Sequence, residues 1–256
     1  MKKYDILKRL YALLFPVVCI LILNGCSKDR GVLKERSMIH LRLGTSYFSG
    51  GDTASALKEL QEAKKLSPDD PQIYNVIGLT YFKKRNYDKA IENLKMALQL
   101  DPKFSDGHNN LGTIYMDLKQ WDDAIFEFRQ ALGNDLYATP ERAYCNIGWA
   151  YYKQGDIGRA IGNYKRALEI AHNFVLAHYN LGIGYLSVNR VNEAIDAFKL
   201  AIKYNPDYVN AHYRLGLIYF KQGKKKEAKE EFDKVVSNSR PGETRDSAQR
   251  YLDLLK

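Results

Sequence analysis

The sequence predicts an all-α solenoid built from six stacked helix pairs, and three regularities of the chain carry this prediction. A dipeptide of an aliphatic residue followed by glycine recurs at steps of 34, 34, 36, 34 and 34 residues. A tyrosine follows each of these glycines by three positions, and an alanine follows it by twelve. The glycines are Gly44, Gly78, Gly112, Gly148, Gly182 and Gly216. A fixed period of this length is typical of arrays in which each unit buries its apolar face only by stacking on its neighbours.

Each unit is predicted to consist of a first helix, A, and a second helix, B. Positions 4, 7, 8 and 11 of helix A share one face by their helical spacing. Glycine inside a helix costs about 1 kcal/mol relative to alanine, so its recurrence at position 8 indicates close approach of a neighbouring helix. In three units a proline follows Ser67, Asp101 or Asn205. This predicts the end of helix B, since the residue before proline is pushed out of the helical region.

The repeated residues resemble the tetratricopeptide repeat (TPR), whose helix pairs stack into a right-handed superhelical solenoid. The resemblance covers six units, which are residues 37–70, 71–104, 105–140, 141–174, 175–208 and 209–240. Residues 241–256 carry Ala248, Tyr251, Leu252 and Leu255 on one side and are predicted to form a capping helix.

The first 25 residues are predicted to be a cleaved signal peptide, since a basic start precedes an uncharged run from Leu10 to Leu23 that is too short to span a bilayer. The stretch Leu23-Asn24-Gly25-Cys26 resembles the lipobox of bacterial lipoproteins. This resemblance implies lipidation of Cys26 and, with Ser27 after it, sorting to the periplasmic face of the outer membrane. Residues 26–36 are then expected to be a lipidated tether.

Composition excludes several classes of function. Removing residues 1–25 takes away four bases and one acid, so the formal charge falls from +9 to 35 − 29, or +6. No basic run indicates a nucleic-acid partner. Cys145 would be the only free thiol, and the histidines lack the spacing of a metal site. No catalytic motif is present, so we expect neither an enzyme nor a bound cofactor, metal or small-molecule substrate.

Positions 2, 5, 6, 9, 12 and 13 of helix A are expected to line the concave face of such an array. In the later units they combine aromatic residues with asparagines, whose amides can pair with a peptide backbone. The candidate partner-binding residues are Asn110, Arg142, Asn146, Trp149, Tyr152, Tyr179, Asn180, Ile183, Tyr213 and Arg214. The alternative is that these side chains only pack against adjacent repeats. The first repeat is the other candidate surface.

The single break in the period adds two residues between the third and fourth units, before Thr139 and Pro140, which are typical of a helix start. The segment from Leu136 to Ala143 resembles the corresponding stretch of type IV pilus biogenesis lipoproteins, the pilotins of the PilF/PilW/Tgl type. That resemblance implies a non-enzymatic outer-membrane lipoprotein that binds secretin subunits and promotes their localisation and multimerisation. A TPR adaptor for outer-membrane protein insertion or for peptidoglycan enzymes is the alternative.

Overall fold

The computed structural model describes residues 31–256, which form helices and turns without a strand. The helices, in chain order, are α1 (residues 31–50), α2 (Thr53–Leu66), α3 (Pro71–Lys83), α4 (Tyr87–Leu100), α5 (Ser105–Asp117), α6 (Trp121–Leu132), α7 (Pro140–Lys153), α8 (Ile157–Ile170), α9 (Val175–Ser187), α10 (Val191–Tyr204), α11 (Val209–Lys221), α12 (Lys225–Asn238) and α13 (Glu243–Leu254). Odd-numbered helices up to α11 are the A helices, and even-numbered ones are the B helices. The prediction of an all-α TPR solenoid is confirmed.

The chain divides into two compact units, one ending at Gly107 and the other running from His108 to Lys256. The first has a small core around Leu60, Ile73 and Ile77. The second has a continuous core that extends from Ala124 to Leu252. Within residues 31–256, no helix is both long and apolar enough to cross a membrane.

The predicted signal peptide and Cys26 lie outside the described residues. Residues 31–36, at the carboxyl end of the segment expected to be a tether, are helical. Residues 32–36, Val-Leu-Lys-Glu-Arg, contain several good helix formers, and they extend the A helix of the first repeat backwards.

The predicted close approach at the repeated glycines is confirmed. A Cβ atom added to any of them would lie 2.6–2.8 Å from the nearest side-chain atom of the partner B helix. The six pairs are Gly44–Leu60, Gly78–Leu94, Gly112–Phe128, Gly148–Tyr164, Gly182–Phe198 and Gly216–Phe232. All six large side chains are fully buried, so each glycine makes room for a fully buried side chain of its own repeat.

Each turn from helix A to helix B contains one residue in the left-handed backbone region, always at position 15 of the repeat. Three are glycines, and the others are Arg85, Lys119 and Asn189, with φ between 59° and 61°. The next backbone N–H donates to the carbonyl of the position-11 tyrosine, as Asn86 does to Tyr81 at 3.0 Å. This bond satisfies a carbonyl that the helix end leaves open.

The two added residues lie in the loop between α6 and α7. Thr139 is the N-cap of α7 and Pro140 its first residue, although the Thr139 side chain makes no capping hydrogen bond. Within the loop Tyr137 is buried, whereas Leu136 is 90% exposed. The insertion therefore buries the Tyr137 side chain and presents the preceding side chain to solvent.

Histidines at position 4 tie helix A to helix B within a repeat. His40, His108 and His212 each place Nδ1 2.6–2.7 Å from a glutamate that lies 19 residues further on. His212 also has Nε2 2.8 Å from the Pro206 carbonyl, so both ring nitrogens face acceptors and the protonated ring fits best. Burial opposes this charge, but the Glu231 and Pro206 contacts outweigh it and raise the pKa of His212.

His178 has the opposite environment. Its Nε2 is 2.8 Å from the His172 carbonyl, whereas its buried Nδ1 has no hydrogen-bond partner among the described residues. Burial lowers the pKa of His178. The neutral ring is therefore the form that this repeat accommodates.

These two histidines are expected to give opposite pH dependences of stability. The raised pKa of His212 contributes stability that is present below the unfolded pKa, about 6.5, and is lost as pH rises through the folded value. His212→Gln should thus cost more stability near pH 5.5 than near pH 8, as measured by urea unfolding. His178→Gln should cost more near pH 8, since the lowered pKa of His178 stabilises the fold above the unfolded value. A loss of stability that changes with pH in the same direction in both variants would contradict this assignment.

Candidate partner-binding surface

The A helices of repeats four to six, α7, α9 and α11, lie side by side in the second unit. Asn180 on α9 donates to the Cys145 sulfur on α7 at 3.5 Å, and Ser187 on α9 donates to the Tyr152 hydroxyl at 3.3 Å. A cleft lies between α9 and α11. We use the term groove for positions 2, 5, 6, 9, 12 and 13 of these three helices.

The asparagines predicted to pair with a peptide backbone differ in their burial. Asn110 and Asn146 are half-buried, but Asn180 is buried and its amide is bonded to Cys145. Its side chain therefore links two repeats, which is the packing role considered as the alternative. Burial raises the pKa of the Cys145 thiol to about 12, although the Asn180 bond opposes this. Cys145 is consequently a neutral structural thiol.

The groove aromatics are half-buried rather than freely exposed. Tyr179 lies 5.7 Å from the Phe198 ring, and Tyr213 lies 6.1 Å from the Phe232 ring, both in their own repeats. Each ring therefore packs one side on the core and leaves only part of its surface for a partner. Ile183 is half-buried as well.

Trp149 and Tyr152 form the one stacked aromatic pair in the groove among the described residues, with ring centroids 5.3 Å apart and planes 9° apart. The Lys153 ammonium lies 4.6 Å from the Trp149 centroid. A rigid aromatic pair with a cation beside it is the type of surface that dominates many protein interfaces.

The cleft between α9 and α11 has a volume of about 430 Å³. Its walls are apolar, and its polar lining consists of Arg214, Lys221 and the side-chain amides of Asn189 and Gln222. Its lining is Leu186, Asn189, Val191, Arg214, Leu217, Ile218, Lys221 and Gln222. Of the predicted residues, Arg214 is the one that lines this cleft, whereas Arg142 is exposed at the start of α7.

Sequence reasoning named the first repeat as a candidate surface but did not identify the exposed apolar side chains on its first helix. Ile39, Leu43 and Tyr47 on α1 are 51%, 44% and 43% exposed. The equivalent aliphatic residue at position 7 is buried in every later repeat. The signal was available, since the first unit has no preceding repeat to cover positions 3, 7 and 11.

A second missed feature is a cleft beside Phe126 on α6. Phe126 is 58% exposed, and the cleft also contains Arg129, Tyr151 and Arg159. Position 22 is polar, charged or glycine in the other repeats, so Phe126 stands out in the alignment of units. However, Arg129 donates to the Tyr151 hydroxyl, and Arg159 is paired with Asp156, so these cations are already partnered.

Residues 31–256 contain no group of three or more His, Cys, Asp or Glu side chains that could hold a metal ion. Stacked helix pairs with an apolar and cationic groove define a helical-repeat scaffold for binding proteins.

The chain belongs to the tetratricopeptide-repeat family. A TPR repeat model matches residues 44–85 and 184–223, and two tetratricopeptide repeat models match residues 71–104, 141–174, 105–134 and 209–239. No curated protein sequence matches the chain significantly.

Solved structures share the fold. The chain is similar to PilW, described as a widely conserved type IV pilus biogenesis factor, with 24% identity, a TM-score of 0.75, and coverage of 83% of this chain and 98% of that one. It is similar to PilF of Pseudomonas aeruginosa, with 15% identity, a TM-score of 0.75, and coverage of 86% and 99%. It is also similar to MamA, with 28% identity, a TM-score of 0.56, and coverage of 68% and 98%.

Proposed function

We propose that this protein is a non-enzymatic, lipid-anchored outer-membrane scaffold that binds secretin subunits and promotes their localisation and multimerisation in type IV pilus biogenesis. The observation that carries the proposal is the match of the whole array to PilW, a type IV pilus biogenesis factor, over 98% of that chain. The insertion around Tyr137, which resembles the pilotin stretch, supports the same family.

In this proposal the Cys26 lipid holds the array at the periplasmic face of the outer membrane. A secretin subunit bound to the tethered array is confined to the membrane surface, and its local concentration rises without any new contact between subunits. Several acyl chains give an anchor far stronger than the marginal hold of a single one. Multimerisation at the outer membrane then follows from mass action.

The groove is the proposed binding surface because it offers apolar area, aromatic anchors and cations. Its positions carry no carboxylate that could pair with these cations. Trp149, Tyr152 and Leu176 supply accessible apolar surface, with Leu176 41% exposed. The packed aromatics Tyr179 and Tyr213 fix the groove's floor. Rigid anchors of this type reduce the entropy cost of binding.

Deleting the gene is expected to abolish detergent-resistant secretin multimers in outer-membrane fractions, as measured by semi-denaturing electrophoresis and immunoblotting. Complementation with the wild-type gene should restore them. A Trp149→Ala/Tyr152→Ala variant should restore them only weakly, whereas Lys229→Gln on the exposed side of α12 should restore them fully. Normal multimers in the deletion strain would reject the secretin function and favour the adaptor for another envelope machine.

A further inference from the structure

The groove is cationic without any counter-charge of its own. Its eighteen positions carry Arg142, Lys153, Arg214 and Lys221 and no aspartate or glutamate. Elsewhere in the second unit three arginines pair with a carboxylate three residues away along the chain, in Arg159–Asp156, Arg166–Glu169 and Arg190–Glu193.

Arg214 differs from the other three cations, because Arg142, Lys153 and Lys221 are exposed. It is half-buried between apolar side chains, yet within residues 31–256 it makes no ion pair and no hydrogen bond. A guanidinium has five N–H donors, and those of Arg214 remain open to the acceptor atoms of a ligand, since none of its nitrogen atoms is both buried and unpartnered. His212, two residues earlier on α11, shows the contrast, because it is satisfied by Glu231 and Pro206.

The surroundings of Arg214 define what would satisfy it. Leu186, Val191 and Leu217 form apolar walls, and Lys221 lies in the same cleft about two helical turns beyond Arg214. A carboxylate accepts two parallel hydrogen bonds from a guanidinium, and the nearby ammonium adds to the attraction. The volume of about 430 Å³ suits one or two side chains rather than a folded surface.

We propose that the cleft between α9 and α11 binds a carboxylate flanked by apolar residues, supplied by an acidic peptide segment of the partner, with Arg214 and Lys221 as its ligands. This inference rests on the proposed function for the identification of the groove as the partner surface. It adds the charge and the anchor point of the segment that binds there.

The test compares the binding of three fluorescein-labelled peptides by anisotropy. All three share one leucine-rich sequence. The first carries glutamates and a C-terminal amide, the second carries glutamines at the same positions, and the third carries glutamines with a free C-terminal carboxylate. We expect the glutamate peptide to bind the full chain at least about tenfold more tightly than the amidated glutamine peptide. Tight binding of the third peptide would assign the site to a chain terminus instead of a side chain.

The charge pair is tested with matched variants. Arg214→Gln/Lys221→Gln should remove the preference for the carboxylate and leave the affinity for the amidated glutamine peptide unchanged. Lys225→Gln/Lys229→Gln removes the same charge from exposed positions of α12 and should retain the preference. Equal affinity for the glutamate and amidated glutamine peptides, no binding of any peptide, or equal losses in both double variants would overturn the proposal.

The secretin assay separates this inference from the proposed function. Normal multimers in the deletion strain together with a retained carboxylate preference would reject the secretin and keep the anionic-peptide site. Absent multimers with no carboxylate preference would keep the secretin function and reject the site.

Discussion

Phe232→Ala is expected to lower the free energy of unfolding by about 3–5 kcal/mol, the range for truncating a fully buried aromatic residue. Phe232 has no solvent exposure. Its ring stacks on Tyr251 of the capping helix α13 at 5.0 Å and 6° and meets Tyr213 of the groove at 6.1 Å. The truncation therefore removes contacts among α11, α12 and α13 together.

The control for this prediction is Phe232→Leu, because leucine occupies the same repeat position in Leu60 and Leu94. We expect Phe232→Leu to cost less than half as much as the alanine variant. Urea unfolding followed by circular dichroism measures both. A leucine variant as unstable as the alanine variant would show that the ring stack, rather than the filled volume, stabilises this end of the array.

Gly182→Ala is expected to destabilise the protein by about 1–3 kcal/mol although alanine has the higher helix propensity. The added Cβ would lie 2.6 Å from Cε1 of Phe198 and 2.8 Å from its Cδ1 and Cζ. Phe198 is fully buried, so its ring cannot move aside without disturbing the core.

Gly162→Ala is the matched control for the Gly182 variant. Gly162 lies inside α8 on its exposed side, and nothing lies within 4 Å of the added Cβ. This substitution should raise the free energy of unfolding by up to about 1 kcal/mol. Opposite signs for the two substitutions support packing as the reason for the repeated glycine, whereas a gain in stability in both would refute it.

Much of the fold could be predicted because the period repeats the same physical constraint six times. A glycine in a helix is unfavourable alone, and only a close neighbour such as Phe198 explains its recurrence. The prolines after Ser67, Asp101 and Asn205 ended their helices as predicted, and these three residues are the C-caps of α2, α4 and α10. The left-handed backbone conformation could not be predicted at Arg85, Lys119 and Asn189, because the turn between the helices imposes it on residues other than glycine.

The groove was less predictable because exposure depends on neighbours in space. Spacing placed Asn180 on the open side of helix A, but its bond to Cys145 on the preceding A helix buries it. Tyr213 leans onto Phe232, a contact that no count along one helix reveals. Arg214 was identified as a candidate residue, but its lack of a partner emerged only from the surrounding structure.

The measurement that tests the central claim most directly is photocrosslinking in cells from a probe amino acid at Leu176, on α9 in the groove. The matched position is Leu200 on α10 of the same repeat, since Leu176 and Leu200 are 41% and 38% exposed. We predict that the probe at position 176 captures the pilus secretin, identified by immunoblotting and mass spectrometry, and that the probe at position 200 does not. Capture of the secretin from position 200 alone, or of no secretin from position 176, would contradict the groove as the surface that binds it.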